Sequence, residues 1–542
     1  EAEKVLKQVI KLQPELIESL NNLGSILTCM EKYEEAKAIL NRSIKIQPSN
    51  AEALSNLGDV YRKLNEYEQA IDQYKGAIQI NPNYYEAYNN MGLALTELKK
   101  YEEAENILKQ AIKINPKQVQ AYNNLGTIYN TVKHFHKAIK YYRMALNTNK
   151  NVAGVHHNLG YALSLIGDNK NSIHHQKLAV LLEPNSKHYF QSLLFRLWYG
   201  FDLNPKYIFE YHKRYDEQFG LPHKNKWKPF AQPKVPKSKL KIGYVSPDFK
   251  GHSMQSFLLP ALPYHDHEKF EIFAFAELEN EDKVSQEYKS YVDHWIRTDK
   301  MKDDELAQKI RDMGIDILVD LGWHLKDSRL DIFSQKPTPV SLSWWVGYGY
   351  TTGLSAIDYF LTDKVMAPKG SEHLFSEKLW KLDKYAAVWD PDRNNMGHIS
   401  NLPALSKGFI TFGSFSTLVL RKTEPAIKAW AKILNNVDGA KLLINSMSFT
   451  NEVVINEFFK KFKKYGIKND RLFLCSDSPP WDSMRQIDIA LDCFPYNSNA
   501  TLLEHLYMGN PFITYSNRFG TGKNGASILT TLGHPEWIAT SE

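Results

Sequence analysis

Two histidines stand where proton transfer or phosphate contact would be chemically useful. His252 lies in SPDFKGHSM, directly after the apolar run Leu240 to Val245, and His324 lies in GWHLKDSR, directly after IDILVDL. Open α/β sheets bind ligands beyond the carboxyl ends of their strands. Imidazole is the side chain suited to move a proton near neutral pH. A lone loop histidine is more often a packing or surface residue, and most of the others in the chain read that way. A second constellation is Ser498, Asn499 and Thr501 in PYNSNATLLEHLYMG, at the start of a helix. Free N–H groups and the helix dipole there favour a diphosphate, although ordinary N-capping uses the same residue types. Arg421 and Lys422 follow the first strand of that half and could reach the same phosphates. As a two-residue basic pair alone they would read as surface.

The elements that must position these groups alternate between strand and helix. In the first half LKIGYV, FEIFAFAE and IDILVDL read as strands, with EDKVSQEYKSYVDHW and DELAQKIRDMG as helices. In the second half FITFGSF, AKLLINS, RLFLCSD and IALDCFPYN are strands, and TEPAIKAWAKIL and NEVVINEFFKKFKKYG are helices. TLLEHLYMGNPFITYS adds a helix, a glycine stop and a strand. Such alternation implies parallel, doubly wound sheets. Two such lobes, 240–407 and 408–542, facing a cleft make the glycosyltransferase B architecture. No DxD pair stands out, so no metal is expected, and a helix N-terminus can stabilise a departing diphosphate without one. Residues 187–239 read as a helical connection ending in a linker with Pro229, Pro233 and Pro236.

Residues 1–186 are an α-solenoid of tetratricopeptide repeats. Gly24, Gly58, Gly92, Gly126 and Gly160 recur at a lag of 34, as do Ala36, Ala70, Ala104 and Ala138, with Ser172 as the fifth copy. Prolines 14, 48, 82, 116 and 184 close the units, with Lys150 breaking the run. Small residues let paired helices cross closely and proline stops the second helix. Asn22, Asn56, Asn90, Asn124 and Asn158 share the lag. An amide donates and accepts, which suits pairing with an extended peptide backbone. The same asparagines could instead cap or bridge neighbouring helices.

Of 542 residues 43% are hydrophobic and 24% charged, a globular composition. The net charge of +6 is spread over 67 basic and 61 acidic residues without a basic block, so nucleic acid is not indicated. No apolar stretch spans a bilayer. Three cysteines without metal or disulfide spacing fit a reducing cytoplasm.

YVSPDFKGH, ILVDLGWH with Arg329, and KPTPVSLSWWVGYGYTTGLSAIDYFLTD resemble the O-GlcNAc transferase and SPINDLY family, especially its bacterial members. ITFGSF, IALDCFPYN, EHLYMGNPFIT and GASILTTLG extend the resemblance over nearly the whole chain. It implies inverting, metal-independent transfer of one sugar from a nucleotide donor to Ser or Thr of proteins presented by the repeats. Some relatives use UDP-GlcNAc, others GDP-fucose or UDP-glucose. It makes His252 a base or acceptor-orienting group and His324 a holder of the donor. Asp492 corresponds to the acid ending the nucleotide-site strand, Arg421 or Lys422 to the phosphate-binding lysine, and Thr501 to a hydroxyl of the phosphate loop. The chain departs from the family at Ser498, Asn499 and Ala500, around Pro480, and at Lys523, which replaces an arginine. These changes keep open a second class, a repeat scaffold that binds peptide or nucleotide without turnover. The array starts inside a second helix and the chain stops at ATSE before the family's closing helix, so the resemblance implies a fragment at both ends.

Overall fold

The computed structural model describes residues 1–200, 203–230, 237–344, 350–390, 396–416, 423–516 and 518–541. After α1 (Ala2–Leu12) come five helix pairs: α2 (Ile17–Cys29) and α3 (Tyr33–Ile46), α4 (Ala51–Lys63) and α5 (Tyr67–Ile80), α6 (Tyr85–Glu97) and α7 (Tyr101–Ile114), α8 (Val119–Thr131) and α9 (Phe135–Thr148), α10 (Ala153–Leu165) and α11 (Asn169–Leu182). The glycine column has a steric cause. A Cβ on Gly24, Gly58, Gly92 or Gly126 would lie 2.5–2.6 Å from Leu40, Tyr74, Leu108 or Tyr142 of the paired helix. The alanine column on the second helices is fully buried at the same crossings.

The asparagine column lies on the first helix of each pair, half-buried or exposed. Asn90 Nδ2 donates to Asp59 (3.0 Å), Asn124 Nδ2 to Asn89 Oδ1 (2.9 Å) and Asn158 Nδ2 to Asn123 Oδ1 (3.0 Å). Three of the five therefore bridge successive repeats, which is the structural alternative their type allowed.

The chain divides into compact units 1–162 and 163–542, earlier than the boundary at 186 expected from the repeats. The cause is packing. Ile173 of α11 and Phe190, Leu193 and Leu194 of α12 (Lys187–Leu197) belong to the apolar core under the first sheet. Ile166 packs against the core of the second. α13 (Pro205–Tyr215) starts with Asn204 as a side-chain cap and proline at the first turn.

The first lobe holds seven parallel strands: β1 (Leu240–Ser246), β2 (Phe270–Ala276), β3 (His294–Arg297), β4 (Ile317–Asp320), β5 (Val340–Ser343), β6 (Tyr359–Asp363) and β7 (Lys378–Leu382). Their order is β3-β2-β1-β4-β5-β6-β7. The second holds β8 (Thr411–Ser414), β9 (Lys441–Asn445), β10 (Leu472–Cys475), β11 (Ile489–Leu491), β12 (Phe512–Tyr515) and β13 (Ile538–Ala539), in the order β10-β9-β8-β11-β12-β13, again all parallel. The remaining helices are α14 (Gln255–Leu258), α15 (Lys283–Ser290), α16 (Asp303–Asp312), α17 (Leu330–Ser334), α18 (Pro403–Lys407), α19 (Glu424–Asn436), α20 (Glu452–Lys463), α21 (Trp481–Met484), α22 (Ala500–Tyr507) and α23 (Asn524–Leu532). Strand order reverses between β1 and β4 and again between β8 and β11. These two switch points are where a doubly wound sheet opens a crevice.

Candidate functional site

All four loops singled out by side-chain type leave the sheets at these switch points. The β1 loop carries His252 and the β4 loop His324. Arg421 and Lys422, after β8, lie outside the described residues. The β11 loop carries Asp492 and leads to Ser498, Asn499 and Thr501.

The β1 loop is pinned on both sides of its turn. Phe249 is fully buried, the Ser285 hydroxyl donates to its carbonyl (2.8 Å), and Gly251 N–H donates to Asp282 (2.7 Å), itself the cap of α15. His252 is left 41% exposed, with Nδ1 3.5 Å from Asp248 Oδ2. Burial pushes the Asp248 carboxyl up, against the opposing charges of His252 and Lys250. Two residues on, Met254 packs with Phe257 against Trp344, Ala500 and Leu503. That small apolar cluster ties the His252 loop of one lobe to the start of α22 in the other.

His324 behaves differently. Its ring is 3% exposed, 4.6 Å from the Tyr215 ring and 5.3 Å from His212, both on α13. Nε2 meets the Thr352 carbonyl at 2.6 Å, so the proton sits there, and Nδ1 is buried without a partner. Burial pulls the group down to about 3. The expectation of a proton-transfer group is corrected: His324 is a neutral core histidine, covered by helices whose packing no local motif announces. The backbone beneath it is strained, with Trp323 at φ 45°. Asp320 holds that turn, accepting from Gly322 N–H, Trp323 N–H and the Ser343 hydroxyl, and burial raises its carboxyl to about 6.

The sign of the His324 shift gives a pH prediction. The folded value lies below the unfolded 6.5, so the unfolded chain takes up the proton first as pH falls. The stabilisation is complete above pH 6.5 and lost from there towards 3. Between pH 7 and pH 5, wild type is expected to lose about 2 kcal/mol relative to His324→Phe, a ring that fits the aromatic cage without titrating. Urea unfolding of both proteins at the two pH values measures this, and parallel pH curves would refute it.

In the second lobe, Asp492 is 5% exposed. Oδ1 accepts from Cys493 N–H (2.8 Å) and Ser498 N–H (2.9 Å), and Oδ2 from the Thr514 hydroxyl (2.8 Å). It folds the PYNSN loop back on its strand rather than presenting an open carboxylate. Asn499 does not cap α22 with its side chain but accepts from the Tyr385 hydroxyl. Ala500 and Thr501 N–H groups therefore have no protein acceptor among the described residues. Asn497 accepts from Gly525 N–H (3.3 Å), drawing the start of α23 to the same loop. Lys523, just before α23, is half-buried with no carboxylate partner among the described residues, and burial lowers its ammonium. Two helix starts and an unpaired cation thus adjoin one loop, an arrangement that favours an anion.

Three functional candidates escaped the sequence reading. Glu504, half-buried on α22, has its carboxyl raised to about 7 by burial. Arg518, 8% exposed, donates to the carbonyls of Gly200 and Leu203 and to the Tyr496 hydroxyl. Asp248 lies inside SPDFKGHSM, and its spacing of four from His252 is the available signal.

A model of glycosyl transferase family 41 matches residues 185–404, and tetratricopeptide-repeat models match within residues 17–151. The structure is similar to a mutant O-GlcNAc transferase of Thermobaculum terrenum, with a TM-score of 0.74 and 26% identity over 84% of this chain and 87% of that one. The segment 185–404 belongs to glycosyl transferase family 41. Among its curated relatives, a Solanum lycopersicum protein named "Probable UDP-N-acetylglucosamine--peptide N-acetylglucosaminyltransferase SPINDLY" is 29% identical over 67% of this chain. An Eustoma exaltatum protein of the same name is 30% identical. The chain spans 39% of the length of each. The His252 loop and the buried His324 both fall inside the matched segment. The Ser498 to Lys523 stretch lies outside it.

Proposed function

We propose that the protein transfers a sugar, GlcNAc from UDP-GlcNAc, to Ser or Thr hydroxyls of protein acceptors, with inversion. The observation that carries this is the apolar cluster holding the His252 loop against the start of α22. It brings a solvent-accessible imidazole towards a helix N-terminus suited to a diphosphate. His252 takes the acceptor proton, while the α22 N–H groups, Thr501 and Lys523 balance charge on the departing diphosphate. Arg421 and Lys422 would join them. Asp492 acts by shaping the loop. No metal is required by this scheme. Asn22 and Asn56 are the members of the repeat column that make no bridging bond between repeats among the described residues, and they suit an acceptor backbone. The reading places the reaction in the cytoplasm; among the described residues no helix is long and apolar enough to cross a membrane.

Titration with UDP-GlcNAc, UDP and GDP by calorimetry tests the donor site. UDP species are expected to bind with a Kd of about 1–100 μM, weakened about tenfold by Lys523→Ala. Selective GDP binding would change the sugar. Absence of any nucleotide binding would overturn the transferase and leave the scaffold reading, which the engagement of Asn499 with Tyr385 favours.

A further inference from the structure

The loop that carries His252 also decides which of its two ring nitrogens can work. Asp248 N–H donates to Ser246 Oγ (3.0 Å) at the end of β1, and the next residue, Phe249, sits between the rings of Tyr288 and Trp295 at 5.2 and 5.6 Å. The Asp248 side chain is only 12% exposed. Its Oδ2 is buried and accepts no hydrogen bond, and it faces His252 Nδ1 at 3.5 Å. The same Nδ1 has a second neighbour, Met254 N–H, at 3.4 Å.

These neighbours make opposite demands. The Met254 N–H needs Nδ1 as an acceptor, which leaves the ring proton on Nε2 and no lone pair there. The carboxylate needs Nδ1–H, which frees the Nε2 lone pair. Only the second tautomer can take a proton through Nε2. A charge-assisted bond to a carboxylate is about twice as strong as one between neutral partners, so the acid prevails.

We propose that Asp248 is a positioning residue that selects the Nδ1–H tautomer of His252 and thereby makes Nε2 the proton acceptor of the transfer. This rests on the reading of His252 as the base. In the step, the acceptor oxygen forms a bond to the anomeric carbon as the bond from that carbon to the diphosphate oxygen breaks. The bonding pair leaves on the nucleoside diphosphate, and the hydroxyl proton passes to Nε2. The imidazolium so formed is balanced by the Asp248 carboxylate. The ring then returns its proton to solvent through its exposed side.

The tautomer is read directly from long-range proton–nitrogen spectra of the full chain labelled in histidine, with His252→Asn assigning the signal. Wild type is expected to carry Nδ1–H, and Asp248→Asn to move the proton to Nε2. With UDP-GlcNAc and an acceptor polypeptide, Asp248→Asn is expected to lose about 10²-fold in kcat, with KM for the donor within about twofold. Asp248→Glu, which keeps a carboxylate, retains Nδ1–H and recovers part of kcat. An Nε2–H signal in wild type would overturn the proposal, as would an unchanged tautomer in Asp248→Asn. So would Asp248→Asn turnover within about threefold of wild type while His252→Asn is inactive. A tautomer change in a protein that transfers no sugar would support the positioning role and refute the transferase reading.

Discussion

His252→Asn is expected to lower turnover of UDP-GlcNAc with an acceptor polypeptide by about 10²- to 10⁴-fold, the range for removing a positioned general base. Nucleotide affinity should change by less than about threefold. The separation follows from where the residue sits. The His252 ring is 41% exposed on the β1 loop, whereas the anion-favouring groups belong to α22 and to Lys523 in the other lobe. The loop's fold depends on Phe249, Asp282 and Ser285 rather than on the imidazole, so the variant should unfold like wild type. Nucleotide release rates and calorimetry on the same sample measure both quantities. Turnover within threefold of wild type would remove His252 from the chemistry.

Glu377→Ala is expected to destabilise unit 163–542 by about 3–5 kcal/mol. The carboxyl group of Glu377, 5% exposed, accepts from Thr352 N–H (2.7 Å), the Thr352 hydroxyl (2.5 Å) and the Thr351 hydroxyl (2.6 Å). Those threonines in turn use their carbonyls: Trp323 Nε1 donates to Thr351 O (3.0 Å) and His324 Nε2 to Thr352 O. Removing one acid leaves three buried donors unpaired and loosens the turn at the β1/β4 switch point. Burial already pushes the carboxyl up, opposed by the threonine bonds. Glu377→Gln, which keeps the volume and some of the bonds, should lose less. Equilibrium urea unfolding followed by tryptophan fluorescence decides this, and a loss below 1 kcal/mol would show that the loop is held elsewhere.

Legibility in the sequence followed the strength of the local pattern. The repeats were readable because a lag of 34 forces glycine and alanine into the same crossing each time. β1, β2, β4 and β8 to β12 announced themselves as apolar runs bounded by turns. The first two residues of β3, His294 and Trp295, fall in the stretch EDKVSQEYKSYVDHW expected to be helical, but α15 stops at Ser290. β5, β6 and β7 were not read as strands: VSLS is half serine, and KLWKL alternates as an edge strand does. The site was half legible. A switch-point rule located the loops without knowing the strand order. It could not reveal that His212 and Tyr215 close over His324, because that contact joins segments more than 100 residues apart. Glu504 was invisible for the same reason: a glutamate on a helix looks exposed until the helix is docked.

The early division of the chain bears on how the two-lobed domain should be produced. A gene cut after the last repeat-like proline, Pro184, would express a fragment beginning near α12 and lacking α11. Ile173 and Val180 would be missing from the core beneath the first sheet, and Ile166 from beside the second. Such a fragment would present greasy seams to its neighbours in the test tube and collect in inclusion bodies. A start ahead of Leu163, inside α10, keeps those seams covered, so the fifth repeat's second helix belongs in any vector meant for assays or crystals.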